Sequence, residues 1–98
     1  MGVSVRWSRQ SREHLVAIRA YIREHNADAA ERARLRIVEM VRLLRSLPRL
    51  GRAGRKPGTR EIVVPHLPYV IVYRVDVADE GELVILGIFH VAQGQRHF

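Results

Sequence analysis

Five side chains in the second half of the chain could hold a charged phosphate and move a proton: Arg60, Arg74 and His90, with Tyr69 and Tyr73 among them. Attack on a phosphodiester needs one group to take a proton, a cation to hold the developing negative charge, and a group to protonate the leaving oxygen. His90 could act as acid or base, and the guanidinium fork of Arg74 could clamp a phosphate. Each residue also has a plainer use. His90 can close its strand by bonding to backbone. Arg74 can pair with Glu61 or Asp76, and the tyrosines can pack with a polar tip. Strand spacing puts Arg74 on a face with Val70 and Val72, and His90 on a face with Val84, Leu86 and Ile88. Whether those faces coincide depends on a register that the sequence does not display.

Other chemistries find no support. His14, His25, His66 and His97 lack metal-ligand spacing, so no metal or other cofactor is expected. The absence of cysteine excludes disulfides, thiolate sites and a cysteine nucleophile. Residues 48–59, Pro-Arg-Leu-Gly-Arg-Ala-Gly-Arg-Lys-Pro-Gly-Thr, form a glycine-rich cationic stretch. Their spacing is not that of a P-loop, and no Gly-Lys-Ser/Thr step opens a helix. Residues 1–60 hold 15 basic and 5 acidic side chains, a balance of +10. Residues 61–98 hold 2 and 5, a balance of −3. The first half should therefore meet something acidic, either nucleic acid or a protein segment, unless it is simply a solvated arginine-rich surface. Aromatic content of 6% offers no stacking platform for single-stranded nucleic acid.

The elements that must position these residues follow from periodicity. Alternation over Val3 to Trp7 predicts a short strand. Ser8 or Ser11 can cap a helix carrying Leu15, Ile18 and Ile22, with Asn26 as its stop. Asp28 and Glu31 have capping-box spacing. A longer helix then carries Ala30, Ala33, Ile37, Met40, Val41, Leu44 and Leu47 and ends before Pro48. After the basic loop come three strands, Arg60 to Val64, Tyr69 to Val75 and Leu83 to Val91, joined by short connections at 65–68 and 76–81. The strands alternate poorly, so the sheet is covered on both faces or presents an apolar docking face. The 98 residues suit one domain of α+β class, strand-helix-helix-strand-strand-strand, with the helical hairpin on one face of a small, mainly antiparallel sheet. No signal-peptide core precedes it and no apolar run is long enough to span a bilayer. A cytoplasmic protein is expected.

This order, with a basic loop before a meander, resembles the RelE/ParE toxins of type II toxin–antitoxin systems. "PRLGRAGRKPGTREIVV" looks like that family's loop into its second strand, "PYVIVYRV" like its third, and "ILGIFHVAQ" like its fourth. The resemblance covers essentially the whole chain and implies an acidic cognate antitoxin held in a heteromeric complex, as in plasmid-stabilisation systems. RelE-type members cut mRNA on the ribosome with cations on the sheet, whereas ParE-type members poison DNA gyrase. One catalytic arginine follows the aromatic that opens the third strand; here Val70 follows Tyr69. The lysines of the preceding strand would fall near Glu61 and Val63. A nuclease would be left with Arg60, Arg74 and His90, so the resemblance favours a ParE-type, gyrase-directed toxin without a catalytic site. An antitoxin is expected on the hairpin at Leu15, Ile18 and Ile22, which divide between core and partner groove, and at Arg19 and Arg23. Target binding is expected at Arg55, Lys56 and Arg60 of the basic loop and at His90, Gln93 and Arg96 near the chain's end.

Overall fold

The computed structural model describes residues 2–76, 81–94 and 96–98. Its elements run β1 (Ser4–Trp7), α1 (Arg9–Arg23), α2 (Ala27–Ser46), β2 (Arg52–Ala53), β3 (Arg60–Val63), β4 (Tyr69–Asp76) and β5 (Glu82–His90). Ser8 caps α1, its hydroxyl accepting the Ser11 N–H at 3.1 Å. Asn26 does not stop α1. That helix ends at Arg23, and Asn26 instead caps α2 by accepting the Ala29 N–H at 3.0 Å. Asn26 takes the cap that Asp28 was expected to hold, and Glu31 turns sideways to pair with Arg34 at 2.6 Å and with Arg19 of α1 at 3.7 Å. Pro48 follows the end of α2 closely, as its clash with a preceding helical residue requires.

The sheet order is β1-β5-β4-β3-β2, with β1 parallel to β5 and the other neighbours antiparallel. The α+β order anticipated from periodicity is therefore present. The addition is β2, two residues within the stretch expected to be loop, which pair Arg52 with Glu61 and Ala53 with Arg60. Helical spacing buries Ala30, Ala33, Ile37, Val41 and Leu44 of α2, and half-buries Leu15, Ile18 and Ile22 of α1. The larger of these pack on Ile71, Tyr73, Leu83 and Ile85 of the sheet. Met40 lies at the edge of this core, while Leu47 at the helix end is half exposed rather than buried. The expected acidic connection over 76–81 falls mainly on residues outside those described.

Poor alternation in β5 has a local cause. Val72 pairs with Gly87, but Tyr73 pairs with Ile85, so β5 carries an extra residue there. This bulge shifts the side-chain parity of β5. Ile88 on one side of it and Ile85 and Leu83 on the other consequently face the same helices. Gly87 makes room: a Cβ there would stand 2.5 Å from the Phe89 ring and 3.2 Å from His14 Cε1. The opposite face carries a second cluster, Val70, Val72 and Phe89, with Leu86 and Phe98 packed against it. The hairpin thus covers one face, and the chain's own tail covers the part of the other around Val70, Val72 and Phe89, leaving Val63 half exposed.

Candidate functional site

Register sorts the sheet residues into faces. Glu61 pairs with Val72 and Arg52 pairs with Glu61, so these lie on the face of Val70 and Phe89, opposite the helices. Glu61 is buried there with 3% exposure, and Arg96, whose side chain is 5% exposed, donates to its Oε1 at 2.6 Å. The Arg55 N–H donates to Glu61 Oε2 at 3.1 Å, and Arg52 stands 3.8 Å away, largely exposed. Burial pushes the Glu61 carboxyl up. The Arg96 hydrogen bond, the Arg55 N–H and the two positive charges outweigh that and hold it below the usual carboxylate range. Outside this buried pair, Arg55 Nη1 donates to Gly94 O at 2.8 Å and Lys56 Nζ to Phe98 O at 3.1 Å. Lys56 also sits 4.4 Å over the Phe98 ring, which packs 5.9 Å from Phe89. His97 O accepts from Gln10 of α1. Tail and β2–β3 hairpin form one cationic surface beside an apolar seam.

Arg60, Arg74 and His90 do not assemble. His90 pairs with Tyr69 at one end of β4, and the rings meet edge-on at 5.7 Å. Arg74 lies five residues along that strand and on its other face, about 17 Å away. The parity shift also separates His90 from Val84, which pairs with Arg74. His90 Nδ1 accepts the Ala92 N–H at 3.1 Å, and Arg74 stands 3.7 Å from Asp76, so both take up the plainer structural uses open to them. Arg60 Nη1 donates to Gly51 O at 2.7 Å and to Arg49 O at 3.2 Å, which braces the loop before β2. Beside it, Tyr73 Oη accepts the Gly51 N–H at 2.8 Å. Burial raises the Tyr73 phenol despite that bond and the Arg60 charge, and burial likewise raises Tyr69. Glu61, Val63 and Val70 share the face opposite the helices. Gln93 is exposed and bonds through its N–H to His90 O.

The helical hairpin offers a second surface. Leu15, Ile18 and Ile22 all turn toward the core. The apolar residues left outside on α1 are Val16, 69% exposed, and Tyr21, 63% exposed. Val16, Ala17 and Ala20 floor two adjoining hollows, rimmed by Arg9, Arg12 and Glu13 along one stretch, where Arg9 stands 3.8 Å from Glu13, and by Arg19, Arg23 and Glu24 along the next. Arg19 also reaches Glu31, which leaves Arg23 as the freer rim cation of that pair among the described residues. Sequence reading missed Val16. Its signal was the i, i+1, i+4 set Val16-Ala17-Ala20 lying nearly half a turn from the Leu15-Ile18-Ile22 stripe. Among the described residues no cluster of His, Asp and Glu could hold a metal ion, and no helix is long and apolar enough to cross a membrane.

Two helices on one face of this sheet define the fold of toxin chains known from toxin–antitoxin complexes. A chain of the chromosomal ParDE system of Pseudomonas aeruginosa superposes with a TM-score of 0.77 at 28% identity, covering 90% of this chain and 95% of that one. A chain of the RelBE2 toxin–antitoxin complex of Mycobacterium tuberculosis shares the fold, with a TM-score of 0.67 at 23% identity over 92% of this chain and 99% of that one. The protein Y4kP of Sinorhizobium fredii, described only as a candidate toxin, is 37% identical over 89 residues, 91% of this chain and 88% of its own length. The family model for the ParE toxin of type II parDE toxin–antitoxin systems matches residues 5–95, and this chain belongs to that family.

Proposed function

We propose that this toxin acts as a gyrase poison neutralised by an acidic antitoxin, and not as a ribosome-dependent nuclease. One observation carries the reading. Glu61, Val63 and Val70, which stand where the RelE resemblance wants cations, lie together on one sheet face, and the chain's own tail lies over the Glu61 and Val70 part of it. A metal-free cleavage of RNA must stabilise a transition state with extra negative charge, and each missing donor costs on the order of 100-fold or more in rate. At those three positions the face supplies an acid already paired with Arg96, and two valines. The cationic β2–β3 hairpin with the tail suits contact with a larger target. The arginine-rimmed apolar strip of α1 suits an acidic amphipathic antitoxin segment.

The decisive experiment induces the toxin without its antitoxin and compares the purified protein in two assays. Inhibited gyrase supercoiling with a DNA-damage response and intact transcripts is the expected result. Unaffected supercoiling with mRNA cut on ribosomes would overturn the proposal.

A further inference from the structure

The Glu61–Arg96 pair is oddly built for a contact whose only work is to hold the fold. Both side chains are almost wholly buried, and the Arg96 Nε has no partner among the described residues. Taking two charges out of water costs most of what their attraction returns, and apolar residues of the same size serve stability as well or better. The surroundings are already apolar: Val70, Val72 and Phe89 lie on this face, and Phe98 packs against them. What a buried pair supplies that an apolar contact does not is a single allowed position. Among the described residues Arg96 pairs with the Glu61 carboxylate, and that carboxylate also fixes the Arg55 N–H at the start of the β2–β3 turn.

We propose that Glu61 is a positioning residue that latches the C-terminal segment to the basic β2–β3 hairpin, so that both meet the target as one preformed surface. Among the described residues the other hydrogen bonds between these segments, Arg55 to Gly94 and Lys56 to Phe98, are exposed and join long side chains to carbonyls. Exposed contacts of this kind contribute little, and the tail's further tie, Gln10 to the His97 carbonyl, runs to α1 rather than to the hairpin. Breaking the buried pair leaves a charge without compensation, and the cheapest relief is to let Arg96 swing into water and take Phe98 off Phe89 with it. The inference rests on the gyrase-directed reading for what the surface meets, but the latch itself is a property of the chain alone.

The test separates the two. Nuclear Overhauser effects between the Phe89 and Phe98 rings report the tail's position, far-ultraviolet circular dichroism reports the fold, and supercoiling inhibition reports target engagement. In Glu61→Gln the ring-to-ring signals are expected to vanish while the helical signal stays, and the concentration needed to inhibit gyrase should rise at least tenfold. Where Glu61→Gln fails to fold, the Glu61→Gln/Arg96→Met double variant leaves no buried charge unpaired and carries the same expectation for function, since an apolar contact cannot fix the tail's position. Rings that stay together in a folded variant of either kind would overturn the latch. Rings that separate while gyrase inhibition stays unchanged would overturn the positioning role. If the unaltered toxin does not inhibit gyrase at all, the gyrase reading fails and the ring-to-ring signals alone judge the latch.

Discussion

His14 ties α1 to the sheet through a bond that only one protonation state can make. Its Nδ1 accepts the Ile88 N–H at 3.0 Å, which places the ring proton on Nε2, and its edge meets Phe89 at 5.0 Å. Burial lowers its pKa below the ordinary 6.5, and the nearby Glu13 charge only partly offsets this. The unfolded chain therefore binds more protons than the folded one just below that pH, and stability falls as pH falls through that window. Glu61 adds a later loss. Its folded pKa lies below the ordinary 4.5, so its contribution is intact above that value and disappears as pH drops through the folded one. The melting temperature is expected to fall in two stages on acidification, and His14→Gln, whose side-chain oxygen can still accept, should remove the first stage only. A single acid transition unchanged by His14→Gln would show that the Ile88 contact does not titrate. At the other end of the sheet, Tyr73→Phe leaves the buried Gly51 N–H without its acceptor. It should cost about 1–3 kcal/mol in urea unfolding, and the loop before β2 should lose hydrogen-exchange protection at Gly51.

The elements show why part of this architecture could be read from sequence and part could not. Both helices and the three later strands announce themselves, because Ile37, Val41 and Leu44 recur at helical spacing and Val, Ile and Tyr crowd 69–75. β2 does not, since a two-residue pairing rests on backbone bonds and leaves no pattern in side chains. The bulge in β5 hides in the same way. "ILGIFH" looks like a strand without alternation, and only the Val72–Gly87 and Tyr73–Ile85 pairings show that parity changes inside it. That single irregularity upset the face assigned to His90 and with it the question of a shared site with Arg74. The glycine was the available clue, because glycine inside a strand marks a bulge or a close approach. Gly87→Ala is accordingly expected to push Phe89 off its seat, at a cost of about 1–3 kcal/mol of overpacking. The midpoint of urea unfolding measures this, and the near-ultraviolet signal of the aromatic rings should change with it. A neutral Gly87→Ala would mean that β5 can slide to absorb the methyl group. The outward strip proposed for docking was less legible than the elements, for a related reason. Leu15, Ile18 and Ile22 are larger and more regularly spaced than Val16, and they pack partly against the core.

Charge is segregated over the molecule as a whole, and this bears on how an antitoxin finds it. The net charge is +7, and four arginines, Arg9, Arg12, Arg19 and Arg23, stand against Glu13 and Glu24 around the exposed Val16-Ala17-Ala20 floor of α1. A field of that kind acts at a distance on an acidic segment and speeds its arrival, whereas the apolar floor acts only after contact and slows its departure. The two contributions should therefore separate in kinetics. Raising salt from about 0.1 M to about 1 M shortens the screening length from ~10 Å to ~3 Å. It should slow association by roughly tenfold or more and leave dissociation nearly unchanged. Val16→Asp should do the reverse in larger part. It puts a charge into the floor and meets an acidic partner with its own sign, so dissociation should speed by on the order of tenfold to a hundredfold, equivalent to about 1.4–2.8 kcal/mol. Surface plasmon resonance with the cognate antitoxin captured on the chip reads both rates directly. Ile18, on the inward side of the same helix, offers the contrast. Ile18→Ala empties core volume, so it should lower the melting temperature while leaving the antitoxin's dissociation rate close to unaltered in the protein that remains folded. If Ile18→Ala and Val16→Asp instead change dissociation alike, the antitoxin lies along the inner stripe of α1, and the outward strip is merely solvated surface.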